Sequence, residues 1–205
     1  KNPAREYLII KAAPGNKEKI AISGWRLESL LSGASAHIGN GAILPYSGII
    51  NSESAVFLGA GETAYITTGR SPIGVSFKMN ICGGYFEQFQ DFTPSLPREC
   101  PLVENEPMPA APNNLGDQCL DFLERMPRCE FLVNSSSLYL SSVCAEFIAK
   151  NANYNSCVDN HKNQKGFYKN EWRIYLKRDS ELWKEKREVI RLVDQNGKTV
   201  DSASY

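Results

Sequence analysis

The distribution of cysteine along the chain constrains its fold more than any other feature. All six cysteines lie between residues 82 and 157, and the segments on either side contain none. They are Cys82, Cys100, Cys119, Cys129, Cys144 and Cys157. An even number of cysteines in one short region is typical of disulfide-bonded proteins from oxidising compartments. The pattern therefore predicts a cross-linked subdomain inserted into a scaffold without thiols.

The sequence alone does not select among the many possible pairings of six cysteines. We predict a nested scheme that closes the insertion at its base, middle and tip. Its bonds are Cys82 to Cys157, Cys100 to Cys144, and Cys119 to Cys129. Two alternatives stay open, which are six reduced thiols in a cytosolic protein and a zinc site. The zinc site is the weaker one, because the chain has no Cys-x-x-Cys pair.

Composition and charge exclude several classes of partner. The 205 residues carry 23 Lys+Arg and 23 Asp+Glu, so the formal net charge is zero and nucleic acid is a disfavoured partner. No apolar run approaches the roughly 18 residues that span a bilayer, so we expect no membrane span. The sequence begins at Lys1 without a signal segment, which predicts a mature or trimmed product whose export signal has been removed. An expression fragment would begin in the same way.

The N-terminal flank has the patterns of β-strands. Residues 6–10 and 20–27 are apolar segments on either side of a Pro-Gly turn, which predicts a hairpin. Residues 29–41 are rich in Ser, Gly and Ala and predict a long surface loop. Residues 55–68 contain β-branched and aromatic residues around Gly59-Ala60-Gly61, which predicts strand, turn and strand.

The C-terminal flank shows the same period of two. Residues 172–176 alternate between apolar and polar, so Arg173 and Tyr175 are predicted to face water. Residues 189–193 and 199–205 are joined by a turn with an Asn-Gly pair, which supplies the backbone conformation of a tight hairpin.

Between the flanks the apolar period changes to about 3.6 residues, which predicts helices. One helix covers residues 115–126, and a second begins at Ser141 or Ser142 as N-cap. The aromatic stripe within residues 85–92 is predicted to be core, and the proline-rich residues 94–112 to be extended.

Four segments together resemble the lamin tail domain, an immunoglobulin-like family. They are residues 6–10, 22–27, 58–66 and 190–205, which cover about half of the chain. The specific motifs are Ser23-Gly24-Trp25 and the Asp-x-x-Gly-x-x-Val-Asp-Ser pattern that starts at Asp194. More narrowly, the chain resembles cysteine-containing, lamin-tail-like proteins of candidate-phylum bacteria. The resemblance brings no activity and no catalytic residue, and the family's ordinary domain lacks the cysteine-rich insertion.

The resemblance and the patterns together predict a mainly β fold with an α-helical insertion. Residues 1–78 and 170–205 form the two halves of an immunoglobulin-like β-sandwich. Residues 79–169 form a disulfide-stapled, mostly helical subdomain. Trp183, which lies among alternating charges, is predicted to fold back as a lid on the sandwich.

Support for catalysis is weak. The two histidines are His37, in the predicted loop, and His161, in a polar segment where a surface or capping role is expected. No nucleophile elbow and no phosphate-binding glycine loop is present. We therefore expect no enzyme activity, no catalytic residue, no metal and no cofactor. The glycosylation sequon at Asn134 is too short a match to carry weight.

Two functional hypotheses follow. The first is an extracellular or cell-surface structural or adhesive module that contacts other copies of itself or another surface protein. Residues 6–11 or 199–205 would then form a strand edge that pairs with the partner. The second is an accessory domain that binds a glycan or another small ligand through the helical insertion and residues 29–41.

Overall fold

A computed structural model describes residues 2–131 and 140–204, so the sequon at Asn134 and the terminal Tyr205 lie outside the described residues. Within these described residues the fold is mainly β, with three short α-helices. The chain divides into two compact units. The sheet unit consists of Lys1–Met79, Phe92–Pro94 and Lys169–Tyr205. The bridged unit consists of Asn80–Asp91 and Ser95–Tyr168.

The strands in chain order are β1 (Tyr7–Lys11), β2 (Ile20–Ala21), β3 (Arg26–Ser29), β4 (Ser35–His37), β5 (Phe57–Leu58), β6 (Thr63–Thr67), β7 (Phe77–Asn80), β8 (Tyr168–Tyr175), β9 (Val189–Val193) and β10 (Thr199–Ser204). One four-stranded sheet has the order β1-β6-β8-β7, and a second has the order β10-β9-β3-β4. Strands β2 and β5 form a separate pair. Strand β6 is antiparallel to β1 and parallel to β8.

The predicted hairpin between residues 6–10 and 20–27 is wrong. Strand β1 pairs with β6, so that Tyr7 lies opposite Thr67, whereas residues 20–27 are divided between β2 and β3. Gly24 causes the division, because its φ of 85° is a left-handed conformation that bends the strand. The predicted surface loop at 29–41 is also wrong in part, since β4 pairs with β3 within it.

The core of the sheet unit is one apolar cluster to which both four-stranded sheets contribute. Its buried members include Leu27, Ile66, Trp172, Ile174 and Leu192. In strands that contribute to it, cluster residues recur at every second position, as Ala64 and Ile66 do in β6, which is why these segments show a period of two.

The prediction that Arg173 and Tyr175 face water is wrong, because both are buried. The Arg173 guanidinium donates to the Pro94 carbonyl and lies 4.5 Å from the ring centroid of Tyr65. Burial raises the pKa of Tyr175 above its usual range. The second half of β8, from Trp172 to Tyr175, is therefore covered on both faces, as is usual for strands with a parallel neighbour.

The C-terminal hairpin is confirmed. Strands β9 and β10 are antiparallel, and Gly197 has a φ of 82° in the turn between them. The carboxylate of Asp194 accepts hydrogen bonds from the N–H groups of Asn196 and Lys198 at 2.8 and 2.9 Å. An Asx turn of this kind is encoded locally, so the sequence alone is sufficient to predict it.

The bridged unit contains the helices, α1 (Asp117–Glu124), α2 (Ser142–Asn151) and α3 (Tyr154–His161). The first two are the predicted ones, and the Ser141 hydroxyl accepts from the Cys144 N–H at 3.2 Å as the N-cap. Helix α3 was not predicted, because its polar residues show little apolar periodicity. In the aromatic stripe, Tyr85 and Phe92 are buried, but Phe89 is exposed.

All six cysteines form disulfides. The bonds are Cys82–Cys157, Cys100–Cys129 and Cys119–Cys144. The outermost bond of the nested scheme is therefore present. The predicted bonds Cys100–Cys144 and Cys119–Cys129 are wrong.

Helix packing explains the correction. Cys119 on α1 and Cys144 on α2 both belong to the apolar cluster of the bridged unit, so the packed helices bring them together with their Cα atoms 5.8 Å apart. Cys129 lies beyond the end of α1, and its sulfur accepts from the Cys100 N–H at 3.1 Å. The nested scheme placed a Cys119–Cys129 bond at the tip of the insertion, but nesting carries no information on which way the helix faces.

Candidate functional site

Strand β1 is a free edge of its sheet. Among the described residues its one neighbouring strand is β6. The Glu6 carbonyl accepts from the Thr68 N–H at 2.9 Å, and the Ala12 N–H donates to the Glu62 carbonyl at 2.9 Å. Because bonding alternates along an antiparallel ladder, even-numbered residues face β6 and odd-numbered residues face away. We call the outward row, Tyr7, Ile9 and Lys11, the β1 edge.

The side chains of the β1 edge are unusually apolar for a strand without a second neighbour. Tyr7 and Ile9 are 40% and 53% exposed, whereas Leu8 and Ile10 pack against the core. Natural edge strands are commonly protected by charge, proline or bulges, and Lys11 is the one charged residue in β1. This strand therefore presents both outward backbone groups and exposed apolar surface.

Two grooves lie along β1. The first, which we call the N-terminal groove, has a volume of about 440 Å³ and is bordered by charged and aromatic residues. Those residues include Arg5, Glu6, Tyr7, Glu181 and Trp183. The second, which we call the sheet gap, has a volume of about 140 Å³ and lies between β1 and β10. Core residues Ile190 and Leu192 line the sheet gap, so an apolar side chain placed there would contact the core.

Strand β10 is one edge of the second sheet, whose other edge strand is β4, and it differs sharply from β1. All six of its residues are exposed, and a bulge interrupts its pairing between Thr199 and Asp201. The Asp201 carboxylate accepts from the Ser202 N–H at 2.8 Å, which occupies a backbone donor of this edge. A bulge and an inserted carboxylate are features that discourage strand addition. The structure thus places both predicted segments at edges, but β1 is the open one.

Glu6 fixes the segment that borders the N-terminal groove. Its carboxylate accepts from the Leu182 N–H at 2.7 Å and from the Trp183 N–H at 3.3 Å. Trp183 is 8% exposed and belongs to the core cluster, so the lid interpretation is confirmed. The segment that borders the N-terminal groove on this side is therefore held in a fixed position.

Glu188 is a buried carboxylate that the sequence analysis missed. Its oxygens accept from the Ser29 hydroxyl at 2.8 Å and from the N–H groups of Lys184 and Val189 at 2.9 Å. Burial opposes its ionisation, but these hydrogen bonds outweigh burial and the pKa of Glu188 is lowered. It lies in a run of alternating charge, so nothing local distinguishes it from its exposed neighbours.

A partly buried ion pair lies near the end of β1. The Lys78 ammonium contacts the Glu62 carboxylate at 2.6 Å and lies 5.5 Å from the ring centroid of Trp172. Burial raises the pKa of Glu62, but hydrogen bonds from Lys78 and from the Gly59 N–H lower it by more. These contacts hold the turn that precedes β6, and hence the strand against which β1 pairs.

The bridged unit contains a groove of its own, with a volume of about 430 Å³. Its apolar wall includes Met108, Val143 and Phe147, and its polar wall includes Asn113, Glu146, Lys150 and Asn160. We call it the helical groove. The mixture of apolar surface with a few polar groups is typical of small-ligand sites.

His161 contacts a buried carboxylate and has a structural role. Its Nε2 lies 2.7 Å from the Glu106 carboxylate, which also accepts from the Asn160 amide at 2.8 Å. Glu106 is itself buried. Burial of the Tyr85 phenol, together with the nearby Glu106 carboxylate, raises the pKa of Tyr85 to about 12. A surface or capping role was expected for His161, which is the last residue of α3 and has its ring partly buried against Glu106.

The other histidine is exposed. In β4, His37 Nδ1 lies 3.3 Å from the Gly24 carbonyl. Among residues 2–131 and 140–204, no group of three His, Cys, Asp or Glu side chains has an arrangement able to hold a metal ion.

Comparison with protein-family models, with curated proteins and with solved structures finds no match to this chain. Within the described part of the chain, no helix has both the length and the apolar character needed to cross a bilayer.

Proposed function

We propose that this chain is an exported, non-catalytic module that works by protein–protein contact through the β1 edge. The observation that carries the proposal is the coincidence of outward peptide groups with exposed Tyr7 and Ile9 on one strand. Addition of an extended segment to a sheet edge is a recurrent mode of recognition, in which backbone bonds give affinity and side-chain pockets give specificity. The partner is another copy of the chain or a second surface protein.

Three disulfides support the extracellular or cell-surface location. Such bonds persist in oxidising compartments and are rare in the cytosol. A module on a cell surface also needs resistance to unfolding without chaperones, and covalent bridges supply it.

The contacts of the histidines support a non-catalytic role. His161 is held by the buried Glu106, and His37 contacts a backbone carbonyl. A serine or cysteine nucleophile that is activated by histidine lies within hydrogen-bond distance of the imidazole. In these contacts neither imidazole has such a neighbour.

We also propose that the sheet unit is an immunoglobulin-like β-sandwich of the lamin-tail kind. Two four-stranded sheets that share one apolar cluster support it. The motif residue Ser23 also joins segments of the sheet unit, since its hydroxyl donates to the Gly39 carbonyl at 2.9 Å and accepts from the Val56 N–H at 2.8 Å. An experimental structure with a different strand order in either sheet would contradict this part of the proposal.

Titration with a generic strand-forming peptide tests the contact proposal. We would add a peptide of alternating Thr and Val to isotope-labelled protein and follow the amide resonances. The expected result is a shift of the Tyr7, Ile9 and Lys11 amides, with no shift along β10. The control is the same peptide with N-methylated backbone, which cannot complete the ladder. Unchanged β1 amides, or equal shifts with the methylated peptide, would show that this edge is not a docking site.

The second candidate function is binding of a glycan or another small ligand, and the helical groove favours it. Phe147 supplies an apolar wall, while Glu146 and Lys150 place opposite charges on one face of α2. Saturation-transfer measurements with a panel of short oligosaccharides would test it. Binding that is lost in Val143→Trp, which fills the groove, would support this function. Binding that is unchanged in that variant would place the ligand elsewhere.

A further inference from the structure

We infer that the partner of the β1 edge is the β1 edge of a second copy, antiparallel to it, about a two-fold axis at Ile9. This inference rests on the proposed function and names its partner. It predicts a closed dimer in which two four-stranded sheets become one eight-stranded sheet. A two-fold contact uses the same surface on both copies, so it ends at two subunits and does not grow into a fibre.

The backbone register is the first argument. In the alignment centred on Ile9, each outward residue of one copy lies opposite an outward residue of the other. Tyr7 meets Lys11, Ile9 meets Ile9, and Lys11 meets Tyr7. All three outward peptide groups of the strand therefore find partners, as an antiparallel ladder requires.

Other registers are worse. A slip of two residues in one direction places Lys11 opposite Arg5, which sets two like charges against each other. A slip in the other direction leaves Tyr7 opposite Ala13, which lies beyond the end of β1. The alignment centred on Ile9 is the one that pairs the full strand without opposing like charges.

Side-chain chemistry is the second argument. On the outer face, the exposed Ile9 residues cover one another, and each Lys11 ammonium meets the ring of a Tyr7, which is a favourable cation–aromatic pair. On the inner face, Leu8 of one copy lies beside Ile10 of the other. These side chains border the sheet gap, so the partner strand shields Ile190 and Leu192 from water.

Charge and area set the strength of the dimer. The formal net charge is zero, so two copies do not repel one another at long range. A contact made by one five-residue strand falls below the size of stable interfaces, which bury roughly 1,200–2,000 Å². We therefore expect a weak dimer, with a Kd on the order of 100 μM, that becomes strong when copies are crowded on a surface.

Sedimentation equilibrium of the whole chain is the first test. Wild-type protein is expected to approach twice the monomer mass at millimolar concentration. Ile9→Lys is expected to weaken association at least about tenfold, because two ammonium groups would meet at the axis. The matched control is Val200→Lys, which changes an apolar residue of similar exposure (48%) on the other edge and should leave the dimer intact. A wild type that remains monomeric at that concentration would overturn the inference.

Cysteine cross-linking is the second test and does not depend on the stability of a charged variant. Directly opposed, hydrogen-bonded residues have Cα atoms about 5.5 Å apart, within the disulfide range of about 4.4–6.8 Å. Ile9→Cys should therefore cross-link with itself. Tyr7→Cys should not, since its own copies lie about 14 Å apart, but it should cross-link with Lys11→Cys. Self-linking of Tyr7→Cys with none for Ile9→Cys would exclude the proposed axis.

The peptide titration separates this inference from the proposed function. If the protein is monomeric and the strand peptide still shifts the β1 amides, the two-fold dimer is wrong and contact through this edge stands. If the peptide also has no effect, both fail.

Discussion

The two units of this protein compensate in different ways for the conformational entropy that the chain loses on folding. The sheet unit contains no cysteine and relies on ladders and contacts between residues far apart in sequence, such as the bond from Ser29 to Glu188. The bridged unit has a smaller apolar cluster, in which Cys119 and Cys144 are themselves members, and three covalent bonds close it. A short helical segment cannot bury enough apolar surface to fold strongly, so cross-links supply the difference.

The same contrast shows that the strand edge proposed for binding lies outside the unit that disulfides stabilise. The free strand edge belongs to the unit whose stability comes from its core, so β1 can expose apolar residues without endangering the fold.

Reduction of the disulfides should unfold the bridged unit and leave the sheet unit folded. Each bridge is worth about 2–5 kcal/mol, and Cys82–Cys157 closes the longest loop, with a sequence separation of 75. Hydrogen exchange read at the level of peptides should show α1 to α3 losing protection in reductant while β6 and β9 keep theirs. Equal loss of protection in β6 and in α2 would contradict the comparison.

Trp172→Ala should produce the opposite pattern. The indole is 4% exposed in the core of the sheet unit, and truncation of a buried aromatic costs about 3–5 kcal/mol. Exchange should accelerate in β6 and β9 and remain slow in α2. The control is Phe89→Ala, since that ring is 70% exposed and its loss should change stability by less than about 0.5 kcal/mol. A Phe89→Ala variant as unstable as Trp172→Ala would show that burial does not determine the loss of unfolding free energy on removal of the ring.

Gly84→Ala should destabilise the bridged unit by about 1–3 kcal/mol, as measured by urea unfolding. A Cβ at this position would collide with the Cys129 sulfur and lie 2.7 Å from the Pro97 carbonyl, and neither atom is at the end of a flexible chain. Gly39→Ala is the control, because a Cβ there meets nothing within 4 Å and the residue caps no helix. Equal unfolding midpoints for the two variants would show that a Cβ at residue 84 is not crowded by Cys129 and Pro97.

Glu188→Gln should lower the stability of the sheet unit by about 1–3 kcal/mol near neutral pH, because it weakens several hydrogen bonds to a buried carboxylate. The pKa of Glu188 is lowered from the model-compound value of 4.5, so its contribution is complete above that pH and is lost as the pH falls through the folded-state pKa. Urea unfolding of both proteins from acid to neutral pH should therefore show curves that converge in acid. A difference that stayed constant with pH would rule out titration of this group.

Local features of the fold were predictable from the sequence. The β9–β10 hairpin, helix α1 and the Ser141 cap of α2 were all predicted, because turn chemistry, apolar period and capping are decided within a few residues. The lid role of Trp183 was also predictable, since a large aromatic among charges usually packs on one side.

Pairings between distant residues were not predictable. The sequence suggested that β1 pairs with residues 20–27, whereas its partner is β6, and it assigned Cys119 to the wrong cysteine. The burial of Glu188 and the pairing of His161 with Glu106 also went unseen. In each case the deciding contact joins residues whose local patterns are compatible with several partners.

Local sequence patterns were enough to predict most of the strands, the helices α1 and α2, and a thiol-rich region between two β segments, but they did not predict β4 or α3. The tertiary structure alone decided which strand edges remain free, and that β1 is open while Asp201 and a bulge protect β10. The physical reason is that periodicity records which side chains are buried, whereas a strand's unpaired backbone groups are the same in every residue and are revealed only when the neighbouring strands are in place.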